Sequence, residues 1–138
     1  VQYTERFRLQ LVNGQVQVAA LGCLLTATRA YTPVAAFVST AQRLYFAATR
    51  HSLSGSFLRY WRSHKGTTLL GAPIAEPSVE PTNDGHGGVY LVQWFENGRL
   101  EYHPESARTG QAVSIGQTGR QDLQRRSWLP PTTAALAS

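Results

Sequence analysis

The sequence contains no methionine, one cysteine and one lysine, and charged residues make up only 15% of it. Each scarcity removes a class of explanation. A lone Cys23 cannot build an internal disulfide framework or a cysteine-rich metal site. Between Leu21 and Leu24 it reads as a small buried hydrophobe. Low charge beside 42% hydrophobic residues excludes a disordered chain and supplies enough apolar material for a core. No apolar run approaches the roughly 18 residues of a membrane span, so no transmembrane segment is expected. The longest, Val16 to Leu25, is broken by Gln17, Gly22 and Cys23. No glycine run ends in Gly-Lys-Ser/Thr, and Ser54-Gly55-Ser56 lacks the Gly-x-Ser-x-Gly frame of a nucleophile elbow. Gly85-His86-Gly87-Gly88 resembles an oxyanion loop without its serine. Neither enzymatic activity nor a cofactor is therefore expected. The opening on Val1-Gln2-Tyr3 reads as a processed chain or a piece of a longer one, and it says nothing of compartment.

The charge that is present is lopsided, with a net charge of +5. Arg59, Arg62 and Lys65 cluster, as do Arg120, Arg125 and Arg126. Arg59, Arg62, Lys65, Arg125 and Arg126 are taken as a basic patch suited to an anionic glycan, lipid or acidic protein surface. No stretch interleaves basic and aromatic residues as a nucleic-acid platform does, so nucleic acid is not an expected partner.

A self-similarity organises the chain. Val1-Gln2-Tyr3-Thr4-Glu5-Arg6-Phe7-Arg8-Leu9 recurs as Val92-Gln93-Trp94-Phe95-Glu96-Asn97-Gly98-Arg99-Leu100. Further on, Ala20-Leu21-Gly22 is answered by Ser114-Ile115-Gly116, with a small insertion around residues 105–107. Residues 1–29 then form the closing half of a first repeat, 30–42 a connector, 43–128 a complete second repeat and 129–138 a tail. Alternation marks half-buried strands, with Tyr3, Phe7, Leu9 and Leu11 on one parity. Asn13-Gly14 and Asn97-Gly98 signal turns. Leu53, Phe57, Leu58 and Trp61 form a helical stripe that Ser54 caps and Gly66 ends. A short helix is expected over 120–126. Residues 32–41 fit a helix or an extended connector. Pro73 to Gly88 reads as a turn and a surface loop. The expected fold class is α+β, mostly antiparallel β hairpins with one amphipathic helix per complete repeat.

His51-Ser52-Leu53-Ser54-Gly55-Ser56-Phe57-Leu58-Arg59-Tyr60-Trp61 is followed by Leu70-Gly71-Ala72-Pro73-Ile74. Then come Val92-Gln93-Trp94-Phe95-Glu96 and Arg99-Leu100-Glu101-Tyr102-His103-Pro104-Glu105. This order resembles a module of exported proteins from thermophilic green non-sulfur bacteria, found beside glycan-active domains. More distantly it is similar to the LGFP repeat of cell-wall proteins. The resemblance spans about 43–128, with its closing half at 1–29. It implies an exported, non-catalytic accessory role and an extracellular or cell-envelope location. In the first copy Gln10-Leu11-Val12 replaces Glu101-Tyr102-His103.

Glu101 and His103 lie two apart on an expected strand and so share a face. With Glu96 or His51 they are able to ligate a metal or exchange a proton. Only two such groups are local, so His103 is read as ordering the strand end and no metal site is assigned. Trp61, Trp94 and Tyr102 are the candidate sugar-stacking rings, of which Trp61 on the helical stripe is read as core; Glu101, His103 and His51 are further candidate ligand contacts. The leading expectation is a non-catalytic binding module, for cell-wall glycan. The rival is a structural subunit of an envelope assembly that meets a protein partner and associates through residues 1–12.

Overall fold

The computed structural model describes residues 2–4, 6–81 and 88–126. The fold is α+β, with antiparallel strands and short helices throughout. Strands β1 (Gln2–Tyr3), β2 (Arg8–Val12) and β3 (Gln15–Val18) form one antiparallel sheet, followed by helix α1 (Leu21–Leu25). Asn13 and Gly14 join β2 to β3 at φ 51° and 78°. Two positive φ values define the type I′ turn that the Asn-Gly pair signals. A hairpin of β4 (Arg43–Phe46) and β5 (His51–Ser54) leads into α2 (Gly55–Ser63) and α3 (Gly66–Leu69). Strands β6 (Ser78–Pro81), β7 (Val89–Trp94), β8 (Arg99–Tyr102) and β9 (Val113–Ile115) then build an antiparallel meander, closed by α4 (Thr118–Arg125).

The two halves match in register. Gln2 pairs with Leu9 and Tyr3 with Arg8, as Gln93 pairs with Leu100 and Trp94 with Arg99. The amide of Thr4 donates to Phe7 O at 2.8 Å, and that of Phe95 to Gly98 O at 2.8 Å. Ala19 N donates to Arg8 O, and Gly116 N to Arg99 O, both at 2.7 Å. Leu9 faces Val18 and Leu100 faces Ile115. Those pairs are nine and fifteen residues apart, so the second copy is six residues longer at this connection. The 3-10 helix Pro104–Thr109 lies in that extra length. The counterpart of Ile115 is thus Val18, not Leu21, and the counterpart of Gly22 is Gly119. Matching letters had drawn the sequence alignment three residues out of step.

Each half closes on the other. A Cβ on Gly22 would stand 1.6 Å from Phe95 O, and one on Gly119 would stand 1.9 Å from Thr4 O. Helix α1 therefore presses its backbone on the β7–β8 turn, and α4 presses on the β1–β2 turn. Cys23 N donates to Glu96 O at 3.1 Å across the first contact. Across the second, the Thr118 hydroxyl donates to Arg6 O. Glycine is required wherever backbones approach this closely.

Apolar burial follows from this interlock. Leu53, Phe57, Leu58, Leu70, Phe95 and Leu100 form the main core, with Phe7, Trp61, Tyr102, Val113 and Ile115 packed on it. Ala75, Val92 and Trp94 form a second cluster that takes in Leu25 and Tyr31. Arg59, Arg62 and Ser63 lie on the wet face of α2.

Several local expectations change. Tyr3 shares a face with Arg8 rather than Leu9, because the chain reverses between the paired strands, where Thr4 N bonds Phe7 O, and this breaks the alternation. Cys23 is exposed; burial of part of its surface and the nearby Glu96 charge push its thiol above the usual range. Residues 32–41 hold neither helix nor strand and form an irregular connector, in which Phe37 meets the Tyr45 ring edge to face. Ser54 occupies the N-cap of α2 without a side-chain cap bond. Lys65, at φ 55°, makes the left-handed exit from α2. Gly66 instead begins α3 beneath Trp61, whose ring a Cβ there would meet at 2.2 Å. Part of the 73–88 loop is the edge strand β6, whose terminal Pro81 suits an edge. The His86 loop and the 129–138 tail lie outside the described residues, as does the Arg125 side chain. Among the described residues no helix is long and apolar enough to cross a membrane.

Candidate functional site

Most residues of the compound motif serve the framework. Glu76 accepts from Ser52 N at 2.9 Å and from the Ser52 hydroxyl, and it meets His51 Nδ1 at 3.0 Å. Glu96 accepts from Ala72 N at 2.8 Å and so holds the Gly-Ala-Pro turn against the β7–β8 turn. Gln93, buried between them, donates from Nε2 to Ser52 O and Ala75 O, each at 2.9 Å. Buried polar groups persist only with partners such as these. His51 is itself 4% exposed, and therefore braces the hairpin entry rather than facing a ligand.

Trp94 is 1% exposed and cannot offer a face to a sugar. The guanidinium carbons of Arg29 and Arg99 stand over its ring, 5.4 and 5.0 Å from its centroid. Its Nε1 donates to Glu80 Oε2 at 3.1 Å, and Arg29 Nη1 donates to Glu80 Oε1 at 2.7 Å. Burial penalises the Glu80 carboxylate, but hydrogen bonds from Arg29, Ser78 and Trp94 outweigh it and hold its carboxyl below the usual range. A depressed folded-state pKa adds stability that is complete above the unfolded value, about 4.3 for glutamate. It is lost as pH falls through the lower folded value. Glu80→Gln is therefore expected to cost up to about 1 kcal/mol at pH 7, since the pair is partly exposed. The difference from the parent should shrink toward acid in urea titrations between pH 7 and 3. A constant difference would contradict the role of Glu80.

Glu101 is buried in a charge network. Its Oε2 accepts from Arg99 Nε at 3.0 Å and Nη2 at 2.6 Å, while Oε1 meets His103 Nε2 at 3.0 Å. His103 Nδ1 lies 3.2 Å from Glu105 Oε1, and its ring is tilted on Tyr90 at 4.1 Å. The expected ordering of the strand end by His103 thus has a carboxylate on each ring nitrogen. Among the described residues no group of three or more His, Cys, Asp and Glu is placed to hold a metal. Tyr102 packs on the core and lines an apolar hollow of about 290 Å3 with Phe57, Pro77 and Leu91.

A larger concave surface than this hollow lies elsewhere. A cleft of about 530 Å3 runs between α2 and the segment 110–115, which ends in β9. Helix α2 supplies Ser56, Arg59, Tyr60 and Ser63, with His64 at its end; Arg6 reaches in from the β1–β2 turn. Arg6 Nε donates to Ile115 O at 3.1 Å, which fixes that residue at the cleft rim. Arg59 donates to the Ser56 hydroxyl at 3.0 Å. The Tyr60 and His64 rings stack at 3.8 Å and 7°. Burial raises the Tyr60 phenol above its usual range, and the Arg6 charge only partly offsets it, so Tyr60 enters neutral solution as an O–H group. Among the described residues that line the cleft there is no carboxylate. An adjoining hollow of about 120 Å3 shares Arg6, Ser114 and Ile115 and brings in Glu101 and His103.

Only part of the sequence-derived set therefore meets. Arg59 lies in the cleft and Glu101 and His103 flank it; Arg62 turns away to donate to Ala41 O at 2.5 Å. Lys65 is exposed and does not line the cleft. Arg126 bonds Asp122 at 3.1 Å on α4. Arg6, Tyr60 and Ser114 had no local signal, because the cleft joins three segments separated by at least 46 residues of chain. No protein-family model, curated protein or solved structure matches the chain.

Proposed function

We propose that this chain is a non-catalytic binding module of the cell envelope or extracellular space, and that the α2–β9 cleft takes an anionic saccharide. The observation that carries this reading is the convergence of Arg6, Arg59 and His64 with the hydroxyls of Ser56, Tyr60, Ser63 and Ser114 on one cleft. A planar guanidinium fork suits a sugar carboxylate, and hydroxyl groups suit the ring oxygens around it. Concave sites with a few convergent polar groups are the usual seat of small ligands. The stacked Tyr60 and His64 rings supply an aromatic surface for a pyranose C–H face.

The test is an NMR titration with hexuronic acid oligosaccharides and with neutral N-acetylglucosamine oligomers. The acidic ligand is expected to shift Tyr60, Ser63 and Ser114 resonances, and its affinity should fall as salt rises. Arg59→Ala should weaken it about 10-fold or more, since a hydrogen bond to a charged group contributes about 1.5–3 kcal/mol. Equal affinity for neutral oligomers, or an unchanged Kd in Arg59→Ala, would remove the reading. The rival, a structural subunit, finds its own support in the exposed apolar pair Leu11 and Val16, which does not line this cleft.

A further inference from the structure

The shared register of the two halves identifies a surface that one half covers and the other leaves open. In the second half, Leu100, Tyr102, Val113 and Ile115 form one face of β8 and β9. The hairpin β4–β5 and helix α2 pack on that face through Leu44, Leu53, Phe57 and Leu58. Gln93 on β7 completes the grip by donating to Ser52 O of the hairpin. The equivalent positions in the first half are Leu9, Leu11, Val16 and Val18, with Gln2 in the place of Gln93.

Every one of those positions keeps its chemistry. The four strand residues are apolar, and Gln2 carries the same amide. Yet Leu11 is 68% exposed, Val16 is 72% exposed and they face each other directly across β2 and β3. Gln2 is exposed as well. An aligned pair of open aliphatic residues on a sheet of three short strands is a poor use of apolar surface unless something covers it.

We infer that the Gln2, Leu9, Leu11, Val16, Val18 face is a docking surface for a hairpin-plus-helix element of the kind formed by residues 43–63, contributed by another unit of the same repeat. The register defines what the occupant must bring. Its helix carries two adjacent large apolar residues, as Phe57-Leu58 do, and its hairpin offers a backbone carbonyl to Gln2, as Ser52 does to Gln93. A second copy of this chain does not meet the requirement without giving up its own core, because its 43–63 element is already seated on β8 and β9. Units would thereby chain together, each supplying the cover for the sheet of the next.

A direct test is to join an additional copy of residues 43–91 to Val1, so that it enters Val1 as residue 91 enters Val92. The parent residues are untouched by this addition. Methyl NMR should show Leu11 and Val16 leaving solvent, and amide exchange in residues 8–18 should slow at least 10-fold. Leu11→Asp with Val16→Asp, both exposed and tolerable in the parent, should abolish that protection in the extended protein. Unchanged Leu11 and Val16 signals with an unstructured added segment would overturn the proposal. So would a concentration-dependent dimer of the parent protein that the same two substitutions dissociate, since the occupant would then be a second copy.

Discussion

Gly22→Ala is expected to destabilise the protein by at least about 3 kcal/mol, the upper end of the usual overpacking range. The new Cβ would stand 1.6 Å from Phe95 O and 2.8 Å from Phe95 C, all of it backbone. A flexible side chain could swing aside; a strand end bonded to Gly98, and closed by Cys23 N on Glu96 O, has nowhere to go. Relief requires α1 to lift from the β7–β8 turn, which also uncovers Leu21 and Leu25. Gly119→Ala should behave alike, because its Cβ would stand 1.9 Å from Thr4 O in the reciprocal contact. Urea denaturation of both variants is the measurement. A loss under about 1 kcal/mol in either, the level of an ordinary surface change, would mean that the two halves do not interlock as described.

Phe57→Ala is expected to cost about 3–5 kcal/mol, the range for removing a buried aromatic ring. Phe57 is 4% exposed and sits among Leu53, Leu58, Leu70, Phe95 and Leu100. It also holds α2 to the sheet, and a helix of this length has little stability of its own in water. The consequence reaches the cleft, since Arg59, Tyr60 and Ser63 ride on the same helix. Chemical denaturation and the saccharide titration should therefore weaken together. Lost stability with undiminished affinity would place the ligand elsewhere.

Local patterns in the sequence carried the elements well. Asn13-Gly14 specified a two-residue turn because both positions need positive φ, and the structure has 51° and 78° there. The Phe57-Leu58 stripe specified which face of α2 is buried, because the helical period places those side chains together. The recurrence of Val-Gln-aromatic and Arg-Leu specified equivalent strand pairs, and Gln2–Leu9 and Gln93–Leu100 share one register. Alternation misled at Tyr3, since a turn between paired strands resets parity. Its hydroxyl donates to Asp122 at 2.7 Å instead.

Composition and spacing alone determined the α+β class, the main helix, the tight turn and the internal likeness, because each depends on neighbours within a few residues or on a repeated string. Tertiary structure decided what each polar or aromatic side chain is for. Trp94 became a buried ring in contact with two arginines, and Glu101 became the acceptor for Arg99 and His103. Glu76, Gln93 and Glu96 became clamps on backbone amides and carbonyls. Arg6 met Tyr60 and Arg59 across a cleft that no local pattern marks. The physical reason is common to all of them. A charge or an amide is defined by the partner it finds when water is excluded; for Glu76, Gln93 and Glu96 that partner lies 18 to 41 residues away along the chain, while Glu101 takes Arg99 and His103 from two residues off on its own face.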